Sequence, residues 1–165
     1  MKLSIRNRLL SSSLALGLAL SGAALAQDDG FTVQVTLFQQ TVAEAAAPDR
    51  DLAAFYRDHQ FEPVWTGAGE VYTTRRRAFL AALERADDHG LPGRAYDVPG
   101  MIEAMRAART DSDRALLDVK MSRMFLDFAA DLQTGVLTPS RIDSGIVREI
   151  PLRAASVYLD GITSD

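Results

Sequence analysis

The side chains able to do chemistry are few. The 165-residue chain contains no cysteine, so it offers neither a thiol nucleophile nor a thiolate ligand for a metal. Its two histidines, His59 and His89, each fall near an expected helix C-terminus, where a cation is favoured. A histidine–carboxylate metal site would need them brought together with Asp58, Asp87 or Asp88, and the spacing gives that no support. Asp87 and Asp88 are adjacent in sequence. Neighbours on a helix point about 100° apart, so the pair reads as a solvated face and not as a dyad sharing a proton. No Ser/His/Asp order resembles a hydrolase elbow, and no glycine-rich loop fits a phosphate. The residues point to no catalytic, cofactor-binding or metal-binding set.

Two features suit recognition better than catalysis. Arg75-Arg76-Arg77 is a basic run at an expected helix start, where it opposes the helix dipole. It is expected to be exposed, as a solvated face with ion pairs or as a contact for an acidic partner. Trp65 is the only tryptophan. It has two readings, stacking on a sugar ring or packing with Tyr56, Phe61 and Val64 into a helical core, and core packing is favoured. Trp65, Arg75, Arg76 and Arg77 are the candidate partner contacts.

The elements that must position these residues begin behind an export signal. Lys2, Arg6 and Arg8 form a positive start, Leu9 to Leu20 an apolar core, and Ala24-Leu25-Ala26 a small-residue cleavage site. Residues 1–26 thus read as a signal peptide with a mature start at Gln27. The apolar core is shorter than the roughly 20 residues a membrane-spanning helix needs. A periplasmic location is expected, with no membrane association after cleavage. Removing the three basic residues of the signal leaves 15 Lys+Arg against 22 Asp+Glu, a net charge of −7 over 139 residues. That acidity makes nucleic acid a poor partner and argues against a basic membrane-surface patch. Without disulfides, stability must come from packing.

The mature chain divides into a leader with an alanine-rich segment, residues 27–48, and a helical domain, residues 49–165. Phe31 to Leu37 alternates apolar and polar residues, the signature of a strand, although a helix beginning there fits equally. Pro48 ends the alanine run, and Asp49 can cap a helix over Asp51–Gln60 that carries Leu52, Phe55 and Tyr56. Phe61 to Trp65 is expected to be extended, because Pro63 pushes its predecessor out of the helical region. Thr66 to Gly69 forms a turn, after which Thr73 or Thr74 caps a helix to about His89. Phe79, Leu80, Leu83 and Ala86 form its apolar face, and Gly90 supplies a left-handed cap.

A short helix through Met101, Ile102 and Met105 follows Tyr96-Asp97-Val98-Pro99. Asp111-Ser112-Asp113 offers caps for the strongest helix, Arg114 to about Thr134. Its stripe is Leu117, Met121, Met124, Phe125, Phe128 and Leu132, widened by Leu116, Val119 and Ala129, and Gly135 stops it. A charge at Phe125 is expected to unfold the domain. Val136 to Arg141 is a turn-rich exit, Ile150 to Leu152 is extended, and Arg153 to Ile162 is helical with Val157, Tyr158 and Ile162 inward. The fold class is all-α, a helical scaffold with short extended connectors.

Three pieces in order carry a resemblance. They are Phe55-Tyr56 ahead of Glu62-Pro63-Val64-Trp65, then Asp87-Asp88-His89-Gly90-Leu91, then Phe125-Leu126-Asp127-Phe128-Ala129-Ala130-Asp131-Leu132-Gln133-Thr134-Gly135. Behind a signal peptide, they resemble the N-terminal scaffold region of the large periplasmic L,D-transpeptidases, which cross-link peptidoglycan. The resemblance covers roughly Leu52 to Ile162. It implies a helical scaffold supporting a catalytic domain built on a Ser-His-Gly-Cys signature. In that family the cysteine forms an acyl-enzyme with a tetrapeptide stem and passes it to an amine on a neighbouring stem. None of those catalytic residues maps onto this chain. The expected role is therefore the non-catalytic scaffold portion of such an enzyme, truncated at its C-terminus, with the catalytic domain as partner and peptidoglycan as a further one. The alternative is a free-standing periplasmic module that binds peptidoglycan or protein through Trp65 or the arginine run.

Overall fold

Every regular element in the computed structural model, which describes residues 35–135 and 150–164, is helical. The expected signal peptide, most of the Phe31–Leu37 segment and the expected Val136–Arg141 exit lie outside the described residues. Helix α1 spans Leu37–Ala46, and Thr36 caps it. The Thr36 hydroxyl accepts from the Gln39 N–H at 3.2 Å while the Gln39 side chain accepts from the Thr36 N–H at 3.0 Å, a capping box that satisfies two otherwise orphaned groups. Leu37, the last residue of the alternating stretch, therefore opens a helix. Val42 and Ala46 on α1 are fully buried in the same core as the later helices, and α1 lies along the long helix α5. The helical body thus includes residues ahead of the boundary expected at residue 49.

Helix α2 spans Arg50–Asp58, with Asp49 accepting from the Asp51 and Leu52 N–H groups at 3.1 Å each. It ends in two consecutive left-handed residues, Gln60 (φ 55°) and Phe61 (φ 57°). The Phe61 N–H donates to the Tyr56 carbonyl at 2.7 Å and the Gln60 N–H to the Arg57 carbonyl at 3.0 Å. This is a Schellman closure with glutamine where glycine is usual. It throws the chain sharply off the helix and into the Trp65 loop.

Helix α3 spans Glu70–Glu84 and starts from Gly69 at φ 110°. The start expected at Thr73 or Thr74 is corrected by about one turn. Gly69 adopts a backbone conformation that needs no side-chain cap to begin the helix, and the Thr73 hydroxyl turns back onto the Gly69 carbonyl at 3.2 Å. The arginine run consequently lies in the second turn of α3. A 3-10 turn, Ala86–His89, closes at Gly90 (φ 72°), and a second covers Gly93–Ala95. Helix α4 spans Val98–Ala107 with Asp97 capping the Gly100 N–H at 2.9 Å.

Helix α5 spans Asp111–Thr134. Its cap is Thr110, one residue before the expected trio, because Asp113 serves instead as the reciprocal partner. Thr110 accepts from the Asp113 N–H at 3.1 Å, and Asp113 accepts from the N–H groups of Thr110 and Arg109 at 2.9 and 3.1 Å. Helix α6 spans Ala155–Thr163.

The core gathers round α5 and is sealed by Leu52, Phe55, Tyr56, Trp65, Leu83, Met101, Met121 and Leu159. Burying each such apolar side chain contributes roughly 1.5–3 kcal/mol. Two expected contributors are corrected. Leu116 is 54% and Leu132 47% exposed, because α1, α4 and α6 cover less of the α5 surface than its apolar residues would allow. On α6 the inward residue is Leu159 and not Val157, which is 53% exposed. Two residues along a helix turn a side chain well over a right angle away.

Candidate functional site

The densest polar arrangement is buried at the centre of the fold. Asp118 and Ser122, one turn apart on α5, are both fully buried. One Asp118 oxygen accepts from the Tyr56 hydroxyl at 2.7 Å and the Val64 N–H at 3.0 Å. The other accepts from the Trp65 N–H at 2.9 Å, the Thr66 N–H at 2.7 Å and the Thr66 hydroxyl at 2.8 Å. Three successive backbone N–H groups of the loop between α2 and α3 therefore converge on one carboxylate. The Trp65 indole N–H lies 2.9 Å from the Ser122 hydroxyl oxygen, which lies 2.8 Å from the Tyr56 hydroxyl.

Proton directions in this chain follow from donor inventory. The indole can only donate, so Ser122 accepts from it. The carboxylate can only accept, so Tyr56 donates to Asp118, and Ser122 donates in turn to Tyr56. Burial, and then the charge of Asp118, push the Tyr56 hydroxyl well above its ordinary value, so it remains a donor. No buried side-chain nitrogen or oxygen among the described residues lacks a partner. A charge this deep is tolerable only under such complete satisfaction.

The same loop is held from its other side. Arg75 donates to the Val64 carbonyl and Arg76 to the Trp65 carbonyl, and Arg76 also reaches the Thr73 hydroxyl at 3.1 Å. Burial lowers the Arg76 pKa, and the nearby Asp118 charge opposes that shift. Val64 and Trp65 are thus fixed through N–H groups by an anion and through carbonyls by two cations.

This placement revises the sequence-based contacts. Trp65 has no exposed surface. Its ring packs 5.1 Å from Phe79 and 5.6 Å from Phe125, centroid to centroid, which is the core packing favoured from the sequence and leaves no face for stacking on a sugar. The arginine run is not one exposed face. Arg75 and Arg76 turn to the loop, and Arg77 alone is exposed. The loop draws in two guanidinium groups because its carbonyls need donors.

His59 stacks on Phe55 at 4.2 Å, and its two ring nitrogens lie 2.9 Å from the Phe55 carbonyl and 3.2 Å from Asp160, which links α2 to α6. His89 is exposed in its 3-10 turn. Asp87 accepts from the Gly93 N–H at 2.9 Å. Among the described residues no group of three or more potential ligands is placed to hold a metal.

Asp118 and Ser122 escaped the sequence reading. Their only signal is position: they lie among Leu117, Val119 and Met121, apolar residues pointing several ways, and position alone neither fixes burial nor names a partner.

A family model described as a Scaffold domain matches residues 50–165, from the first residue of α2 onward. Neither curated proteins nor solved structures yield a match.

Proposed function

The chain belongs to the Scaffold domain family, and from that membership we propose that it is the non-catalytic scaffold portion of a periplasmic L,D-transpeptidase. In this reading it acts in peptidoglycan cross-linking by supporting the enzyme's catalytic domain. The observation that carries the reading is the Asp118 cluster. Its carboxylate, hydroxyl, indole and guanidinium groups are the chain's richest chemistry, and they are spent on bonds to one another and to the loop. A site that must bind or turn over substrate keeps some of those groups open. A support element gains instead from a rigid, fully paired interior. Acyl transfer by this class of enzyme also needs a thiol, and the chain has no cysteine. The signal-like N-terminus supports a periplasmic site of action.

The test uses the purified chain and muropeptides with tetrapeptide stems, with products identified by mass spectrometry. The expected result is no cross-linked dimer, and dimers formed by the chain alone would overturn the assignment. Sequencing the gene past the Asp165 codon completes it. An open frame reaching a Ser-His-Gly-Cys motif is expected. The second reading, a free-standing binding module, draws on the exposed Arg77. Saturable pelleting with sacculi that is lost in Arg77→Ala would favour it over the scaffold role.

A further inference from the structure

We propose that His59 is a proton-operated latch: its doubly protonated ring ties α6 to α2, and loss of one of those protons as pH rises loosens α6. This goes beyond the scaffold reading and does not depend on it. The ring is held in place by its surroundings. His59 closes the C-terminus of α2 and stacks on the buried Phe55 ring at 4.2 Å. Its Nδ1 lies 2.9 Å from the Phe55 carbonyl oxygen, and its Nε2 lies 3.2 Å from an Asp160 carboxylate oxygen. A carbonyl and a carboxylate can only accept, so each nitrogen needs its own proton, and only the imidazolium carries two. The neutral ring can make one of these bonds and turns a bare lone pair on the other oxygen. The charged groups that share its cavity are Asp58 of α2, Glu62 of the following loop, Asp160 of α6 and Arg75 of α3, with the Tyr72 phenol beside them. Three carboxylates against one guanidinium leave room for a second cation.

The element tied by this bond depends on its contacts. Helix α6 has 9 residues and no side-chain cap at its N-terminus. A helix so short is marginal alone, so its packing on α2 and α5 decides how long it stays docked. Leu159, with no exposed surface, is its apolar anchor, and Tyr158 donates to Gln133 of α5. Towards α2, the His59–Asp160 pair is the one side-chain polar bond of α6 among the described residues. Histidine changes charge between about pH 5 and 8, so this bond responds to protons where the burial of Leu159 does not. Its contribution is present at the acid end of that range and is lost as pH rises. The two side chains are 39% and 48% exposed. Solvent thus reaches the ring, and the effect has the modest size of a solvent-facing ion pair.

The test follows backbone amide exchange in the purified chain at about pH 5.5 and about pH 8, each rate normalised to that of an unstructured chain at the same pH. Amides of α4, which carries no histidine, serve as the internal reference. Protection of α6 relative to α4 should fall roughly threefold from the lower pH to the higher. Asp160→Asn and His59→Gln should each remove that change, while His89→Gln, at the exposed second histidine, should leave it intact. Ring-nitrogen chemical shifts of His59 should show both nitrogens protonated at the lower pH and one at the higher. Equal relative protection at the two pH values in the parent chain would overturn the proposal. So would a pH dependence that survives in Asp160→Asn or His59→Gln, or one that is lost in His89→Gln. A neutral His59 ring at the lower pH would overturn it without recourse to any variant.

Discussion

Asp118 concentrates more consequence than any other side chain. Its removal in Asp118→Ala leaves the N–H groups of Val64, Trp65 and Thr66 without acceptors, two of them in fully buried surroundings. Breaking a buried charged network in this way costs about 3–5 kcal/mol, and urea denaturation of the variant should show a loss of that size. Tyr56→Phe removes the hydroxyl donor to the Asp118 charge together with the acceptor of the Ser122 hydroxyl, and should cost at least about 1.5–3 kcal/mol. A loss below 1 kcal/mol in Asp118→Ala would mean that water replaces the carboxylate and that the loop is not held by it. At this scale the sequence was only partly legible. Trp65 was readable as core because aromatic neighbours surround it in the chain. Asp118 was hidden because nothing local says where a carboxylate points, and its loop partners lie 52 to 54 positions away in the chain.

Helix termini carry the next set of consequences. Gln60 sits at φ 55°, where a side chain costs roughly 1–2 kcal/mol, and only its backbone takes part in the turn, through the Arg57 and Gln39 bonds. Gln60→Gly relieves that cost and pays part of it back in unfolded-chain entropy. A gain of up to about 1 kcal/mol is expected by denaturant titration. At the start of α5, the N–H groups of Thr110 and Arg109 hold the Asp113 carboxyl below its ordinary value of 3.8. A depressed folded-state value contributes stability that is fully present above the unfolded value and fades as pH falls through the folded one. Melting temperatures of the parent and Asp113→Asn should therefore differ at neutral pH and converge well below pH 3.8. Caps at Asp49 and Gly90 were legible because each is a residue type with one dominant local use. The start of α3 was not, since threonine competes for the cap and Gly69 reaches a conformation whose advantage is steric and leaves no pattern.

Across the whole molecule, the all-α class was legible from the apolar period of α5, and the scaffold family from three short motifs. The extent of the core was not. Polar flanks made the alanine-rich segment look like a leader, yet Val42 and Ala46 are fully buried. Val42→Asp should abolish the cooperative melt, as a core charge would; a melt within a few degrees of the parent's would show that α1 is dispensable. The sensitive position on α5 also shifts. Met121 is fully buried, whereas Phe125 is half-buried. Met121→Asp should unfold the chain and Phe125→Glu should only weaken it, because a half-buried carboxylate can reach water.

The five bonds to Asp118 join residues 52 to 62 positions apart, which gives the cluster a kinetic meaning. Contacts so distant in the chain repay their loop-closure entropy only after most of the structure has assembled. The cluster should therefore be absent from the folding transition state. Stopped-flow measurements on Tyr56→Phe should find folding at the parent rate and unfolding roughly tenfold or more faster. Asp118 would then govern how long a folded molecule lasts once formed.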